Sequence, residues 1–355
     1  MDQTPDHPKL TSLVCRREHF DTGWYKRWAT AFTGDAHQGA DLASGPDRPQ
    51  FHRKNWEWAA VTEALAERDM LLPGRRGMGF AVGREPLASL FAAHGAEVLA
   101  TDLAADDDQT SAWSDSGQHA ASLDALHWPH LLDRSTFDSR VTFMPQDMRN
   151  LRTQGLGSFD FLWSACSFEH LGDLEAGLQF VLRSTELLKP GGIAVHTTEF
   201  NLSSLDQTLE DGNSVIYRRC DLASLEHRLR GIACAMEPLD AFGGTAMEDI
   251  EFDYAPFYQN GRQHVKLMLG GFVTTSVLLI IRKGRYPGGM PPLDASIGPT
   301  VAARGPDLLA SCSEEARLTA ELVRLQAEVA TLYTSSSWRL TSPLRALARL
   351  ARRRG

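Results

Sequence analysis

The residues with the most chemical potential fall at the ends of short apolar runs. In GMGFAVGREP (77–86) the small residues Gly79, Ala81 and Gly83 alternate, so the backbone there can approach a ligand closely. Asp102 closes the run AEVLATD, 19 residues after Gly83. A carboxylate at that point can accept both hydroxyls of an adenosine ribose and disfavours a 2′-phosphate. Asp147 closes VTFMPQD, where a carboxylate could accept an adenine amino group. Farther on, His196 and Glu199 lie in HTTEFN (196–201) and are candidates for drawing a proton from an acceptor hydroxyl. Their spacing along an extended chain puts them on opposite faces. Each residue type also has a structural role: a tight turn for the glycines, helix caps for Asp102 and Asp147, and core packing for His196. No metal is expected, since the chain has no His-x-His pair.

The elements that must position these residues alternate between strand and helix. Strands are predicted at 77–82, 96–102, 141–147, 159–165 and 193–200, with helices at 86–95 and 174–188, the latter broken by Lys189-Pro190-Gly191-Gly192. This alternation predicts βαβ units, hence an α/β fold with a doubly wound, mostly parallel sheet. FVTTSVLLIIRK (272–283) has no helix just before it and is expected as a late, antiparallel strand. FHRKNWEW opens an N-terminal helix that could cover a ligand. Its Arg53 and Trp56 share a face, although an amphipathic packing helix with a solvated Arg has the same pattern. Tyr217, Arg218, Arg219, Tyr254, Tyr258, His264 and Lys266, in the insertion 202–271, are where acceptor specificity is expected.

The segment FDFLWSACSFEHLGDLEAGLQFVLRSTELLKPGGIAVHTTEF (159–200) resembles class I S-adenosylmethionine-dependent methyltransferases, in its Phe-Asp strand start, Glu-His-Leu loop and Leu-Lys-Pro-Gly-Gly element. The resemblance spans about 75–283. It implies a seven-stranded Rossmann-like sheet and S-adenosyl-L-methionine as cofactor. It also implies that Gly79, Ala81 and Gly83 lie under the methionine and ribose, that Asp102 followed by Leu103 holds the ribose, and that Asp147 with Met148 flanks the adenine. Ser164 would lie near the transferable methyl, and His170 more often anchors its loop than reacts. The sequence departs from the pattern at Gly79, where the family has an acid, and at Ala81-x-Gly83-x-Glu85, where it has Gly-x-Gly-x-Gly. Glu85 is the candidate to compensate, and a catalytically degenerate scaffold is the rival reading.

Lys and Arg number 36 against 45 Asp and Glu, a net charge of −9, which argues against nucleic acid as a partner. Five scattered cysteines without a CxxC fit a reducing cytoplasm better than a disulfide framework. The expected organisation is an N-terminal helical cap (1–74), a methyltransferase domain (75–283), a Gly/Pro-rich linker (284–311), a short coiled coil (312–332) and a basic amphipathic tail (333–355). In the coiled coil, Leu318, Leu322, Leu325, Val329 and Leu332 recur at alternating spacings of four and three, suited to self-association or to a glycosyltransferase partner. The tail carries six Arg and no acid, with Trp338 and several Leu, and could lie on an anionic membrane surface. Its SSWRLTSPLR string resembles a tail shared by bacterial glycosyltransferases and methyltransferases that build surface polysaccharides. That resemblance implies a glycan or lipid-linked glycan acceptor at the inner membrane face. A small-molecule acceptor is the alternative.

Overall fold

A computed structural model of the chain describes residues 9–33, 50–104, 119–120, 122–258 and 261–284. The linker beyond Gly284, the coiled coil and the basic tail lie outside the described residues. The chain divides into two compact units, Met1–Asp253 with Tyr258–Ala303, and Tyr254–Phe257 with Arg304–Gly355. Of the second unit only 254–257 lie among the described residues, and the sheet and its helices belong to the first.

Strands β1 (Ser12–Val14), β2 (Arg76–Gly79), β3 (Glu97–Asp102), β4 (Val141–Pro145), β5 (Phe159–Ala165), β6 (Leu188–Asn201), β7 (Cys234–Met236), β8 (Leu239–Asp240), β9 (Leu267–Leu269) and β10 (Phe272–Lys283) form one sheet. Its order is β4-β3-β2-β5-β6-β10-β1-β8, with β7 and β9 also pairing β10. Where seven strands are expected, the described residues form ten. The five from β2 to β6 are parallel, as expected, and β10 runs antiparallel to β6 along Ile193–Asn201. Between β2 and β5 the order reverses direction. Ligands bind in doubly wound sheets outside the strand C-termini at this kind of switch point.

Among the described residues, seven α-helices accompany the sheet: α1 (Gly23–Thr33), α2 (Arg53–Ala66), α3 (Leu87–Ala93), α4 (Arg134–Arg140), α5 (Leu174–Ser184), α6 (Arg219–Gly231) and α7 (Met247–Ile250). The N-terminal segment is more than a helical cap, because β1 pairs β10 and joins the sheet. One sheet face buries Phe161, Trp163, Ile193 and Val195 in a core shared with α2 and α3. On the other face His196 meets Phe180 of α5 and Phe168 of the one-turn helix Phe168–His170 before it. α5 starts where the Asp173 carboxylate accepts from the Ala176 amide at 2.7 Å, a stabilising N-cap.

β2 ends at Gly79 rather than at residue 82, so the turn begins one residue before Ala81. Its two glycines answer a packing need. A Cβ on Gly77 would lie 2.1 Å from the Phe161 ring, and one on Gly79 2.3 Å from the Trp163 indole. The space that a side chain at position 79 would need is filled by the Trp163 indole of the neighbouring strand. Gly77→Ala should destabilise the fold by about 1–3 kcal/mol through overpacking. Urea unfolding should show a smaller loss when Phe161→Leu is added, and equal losses would refute the packing explanation.

Candidate active site

The turn after β2 and the end of β3 meet as the sequence suggests. Asp102 is buried; its Oδ2 accepts from the Gly83 amide at 3.0 Å and the Ala120 amide at 3.3 Å, and its Oδ1 accepts from the Leu103 amide at 2.9 Å. Burial pushes its carboxyl up, against the downward pull of those amides. Ala81 and Gly83 both have positive φ, 44° and 52°, which bends the chain back over β2. Asp102 therefore shapes the glycine turn, at the position where the sequence resemblance would put a ribose. Asp102→Ala should weaken cofactor binding by about 1.5–3 kcal/mol, roughly ten- to hundred-fold by calorimetry. An unchanged affinity would make its role purely structural.

Asp147 caps the one-turn helix Met148–Asn150, accepting from the Arg149 amide at 2.9 Å and from its guanidinium at 3.0 Å. Burial raises its carboxyl but Arg149 outweighs it, so the group is held low. Met148 is buried beside it. The capping alternative is what the structure shows at this aspartate.

β6 runs on to Asn201, one residue past the strand predicted at 193–200, so His196 and Glu199 both lie within it. His196 and Glu199 face opposite sides. His196 is fully buried, its Nδ1 lies 2.8 Å from Ser164 Oγ, and burial pulls it down to about 3. Ser164 and His196 thus form a core pair on the α5 side, apart from the charged residues under α2. His170 anchors its loop, with Nδ1 2.6 Å from the Asn213 carbonyl.

Glu199 lies under α2. Its carboxylate pairs with the Arg53 guanidinium and accepts from Thr274 Oγ1 at 2.8 Å. Burial raises this carboxyl, but Arg53 overrides it and holds it low. Arg53 also donates to Ser276 Oγ at 3.3 Å, and Ser276 donates to Glu57. Cys166, the residue after β5, donates its thiol to Glu57 Oε1 at 3.1 Å. The Cys166 backbone sits at φ 46°, unusual for a non-glycine residue, and its amide is held by Thr197 Oγ1 at 3.0 Å. Glu169 accepts from Thr198 Oγ1 at 3.0 Å. Burial first, then the nearby Glu199 charge, push Glu169 up to about 8. Ligand atoms of Cys166, Glu169 and Glu199 lie within 4.8 Å of one another, spacing that could hold a metal ion, although Glu199 is already matched by a guanidinium.

Glu85 faces Lys54 of α2 at 2.8 Å. Lys54 Nζ also donates to the Ala165 carbonyl at 2.8 Å. Thus Arg53 and Glu199 meet as suited to a guanidinium beside a carboxylate. Trp56 does not join them: it is buried in the core, its Nε1 bonded to His19 Nδ1 at 3.0 Å. Among the insertion residues, Lys266 is fully buried against Asp249 and Tyr217 is core, whereas Arg218 pairs with Asp221. His264 stacks on His52, the α2 N-cap, with ring centroids 4.5 Å apart, and its Nδ1 lies 2.7 Å from Asp253 Oδ2.

Sequence reasoning misses Lys54, Glu57, Cys166 and Glu169 as members of this group. The one available signal is Arg53-Lys54-x-x-Glu57 on a helix expected to cover a ligand. Among the described residues, no helix is long and apolar enough to cross a membrane.

No family model and no curated protein matches the chain. Solved structures do match it in outline. An S-adenosylmethionine-dependent methyltransferase from Mesorhizobium loti is 16% identical at a TM-score of 0.36, covering 62% of this chain and 97% of that one. The magnesium protoporphyrin IX methyltransferase of Synechocystis PCC 6803 with bound SAH is 13% identical at 0.39, covering 76% and 98%. The CcbJ methyltransferase of Streptomyces caelestis is 12% identical at 0.37, covering 69% and 100%. Likenesses this distant carry no argument about activity. The α/β class rests on this chain's own strand order: a doubly wound, Rossmann-like fold with an antiparallel strand after the parallel five, as the sequence resemblance implies.

Proposed function

We propose that the protein is an S-adenosylmethionine-dependent methyltransferase acting on a hydroxyl. The observation that carries this is the 3.0 Å bond between the Gly83 amide and Asp102, which brings a close-approach turn and a ribose-competent carboxylate together beside the switch point. Methyl transfer from a sulfonium is an in-line displacement that needs positioning, plus a base when the acceptor is a hydroxyl. The cofactor supplies the electrophilic methyl. The chain supplies Asp102 for the ribose and the acid-lined group at the ends of β5 and β6 for the reacting centre. A base works best when its ionisation lies near the operating pH. That favours Glu169 as the proton acceptor over Glu199, held low by Arg53, and over the packed His196.

For the acceptor, the tail string at 336–345 supports a sugar hydroxyl of a surface polysaccharide or its lipid-linked precursor, with the basic tail at an anionic membrane surface. The burial of Glu169 and Glu199 together with Glu57 of α2 supports the second reading, a small-molecule acceptor. Labelled S-adenosylmethionine incubated with membrane glycolipid and with a small-molecule fraction separates them. Label in glycolipid is expected, and label only in the small-molecule fraction would overturn the glycan reading. Calorimetry showing that neither the cofactor nor its demethylated product binds would favour the scaffold.

A further inference from the structure

Lys54 is a cation from the N-terminal helix placed at the end of the central strand. Its Nζ donates to the Ala165 carbonyl at 2.8 Å, faces Glu85 Oε1 at 2.8 Å and lies 3.3 Å from Glu57 Oε2 as an ion pair. Ala165 is the last residue of β5, and Glu85 follows the turn after β2, so the cage straddles the switch point. Glu57 is buried, and its Oε2 has no hydrogen bond of its own.

We propose that this cage is a subsite for a ligand's primary ammonium, and that Lys54 fills it until the ligand displaces it. The inference rests on the proposed cofactor, in which the ligand's ammonium is that of the methionine moiety. The geometry supports the pairing. Asp102 ends β3, Ala165 ends β5, and only β2 stands between them. Two strand spacings are roughly 10 Å, a span that the methionine chain of a ribose-anchored cofactor can bridge. Charge supports it as well. Exchanging one ammonium for another keeps Glu57 and Glu85 compensated, whereas a ligand without a cation could displace Lys54 only by leaving buried carboxylates uncompensated. The cage therefore selects for ligands that bring their own ammonium. Lys54 lowers the apparent affinity of those ligands by the fraction of time it occupies the cage.

The test compares S-adenosylhomocysteine, which has the amino-acid moiety, with 5′-methylthioadenosine, which lacks it. By calorimetry, Lys54→Met and Lys54→Gln should each raise the ratio of the two affinities about ten-fold in favour of S-adenosylhomocysteine. Partial unfolding lowers both affinities together and leaves the ratio unchanged. In the unaltered protein, amine acetylation read by mass spectrometry should label Lys54 faster with S-adenosylhomocysteine bound than with 5′-methylthioadenosine bound. A ratio that stays flat or falls, or a Lys54 protected by S-adenosylhomocysteine, makes Lys54 a fixed structural ion or a direct ligand contact and overturns the proposal. If neither compound binds the unaltered protein, the cofactor reading itself fails, and the inference with it.

Discussion

Replacing Arg53 with methionine is expected to destabilise the protein by about 3–5 kcal/mol, because it leaves Glu199 buried without its cation. The side chains of Arg53 and Glu199 are 13% and 4% exposed, so water cannot take over the role of the guanidinium. Thr274 still donates to Glu199, but one hydroxyl does not neutralise a carboxylate. Glu199→Gln removes the stranded charge, so the double variant should recover much of the loss. Urea unfolding of the two single variants and the double variant gives the coupling directly. Additive losses would show that Arg53 acts through packing along α2 and Ser276 rather than through Glu199. The same pair locates α2: a helix tethered to β6 by a buried ion pair sits over the strand ends where methyl transfer is proposed.

That tether shows what a single sequence can and cannot reveal. β5 is readable because FDFLWSA is apolar enough for a central strand buried on both faces, and all seven of its residues are buried. β1 and β8, three and two residues long, are too short to show a period, so the extra strands past β10 are invisible. The Lys-Pro-Gly-Gly stretch reads as a breaker, yet β6 begins at Leu188 and absorbs it through a register shift between its pairings with Phe159 and Phe161. Asp102 is legible because its role depends on spacing from a glycine turn. The cage formed by Lys54, Glu57 and Glu85 is not, because a helix residue facing a buried carboxylate has the same letter as one facing water. Their roles come from α2 docking on the strand ends, a tertiary fact that no local pattern encodes.

Glu169 should give the protein a pH-dependent loss of stability that Glu169→Gln lacks. Its carboxyl is raised from 4.5 to about 8, chiefly by burial and then by the charges of Glu199 and Glu57, against the pull of Thr198 and its own backbone. Cys166, whose thiol is itself pushed up, His170 Nε2, 4.0 Å away, and Tyr217, whose phenol the Glu169 charge helps to push up, are also among its titratable neighbours. Below pH 4.5 the group is protonated whether the chain is folded or not, and it costs nothing. Between 4.5 and about 8 the unfolded chain gives up this proton while the folded chain keeps it, so each rise in pH favours unfolding. Above that window both forms are ionised and the loss stays constant. At about 1.36 kcal/mol per pH unit, the penalty reaches a few kcal/mol. Urea unfolding of both proteins at pH 5, 7 and 9 should therefore show the Glu169→Gln protein gaining relative to the original across the first interval and levelling off in the second. Parallel curves would mean that Glu169 is ionised throughout, with Arg53 shared between it and Glu199. The sign also bears on chemistry, since a carboxyl that keeps its proton near neutrality accepts a hydroxyl proton only once ionised. A cationic cofactor arriving beside Glu169, Glu199 and Glu57 would favour that ionised form, so binding of the sulfonium should release a proton that binding of its neutral thioether product does not.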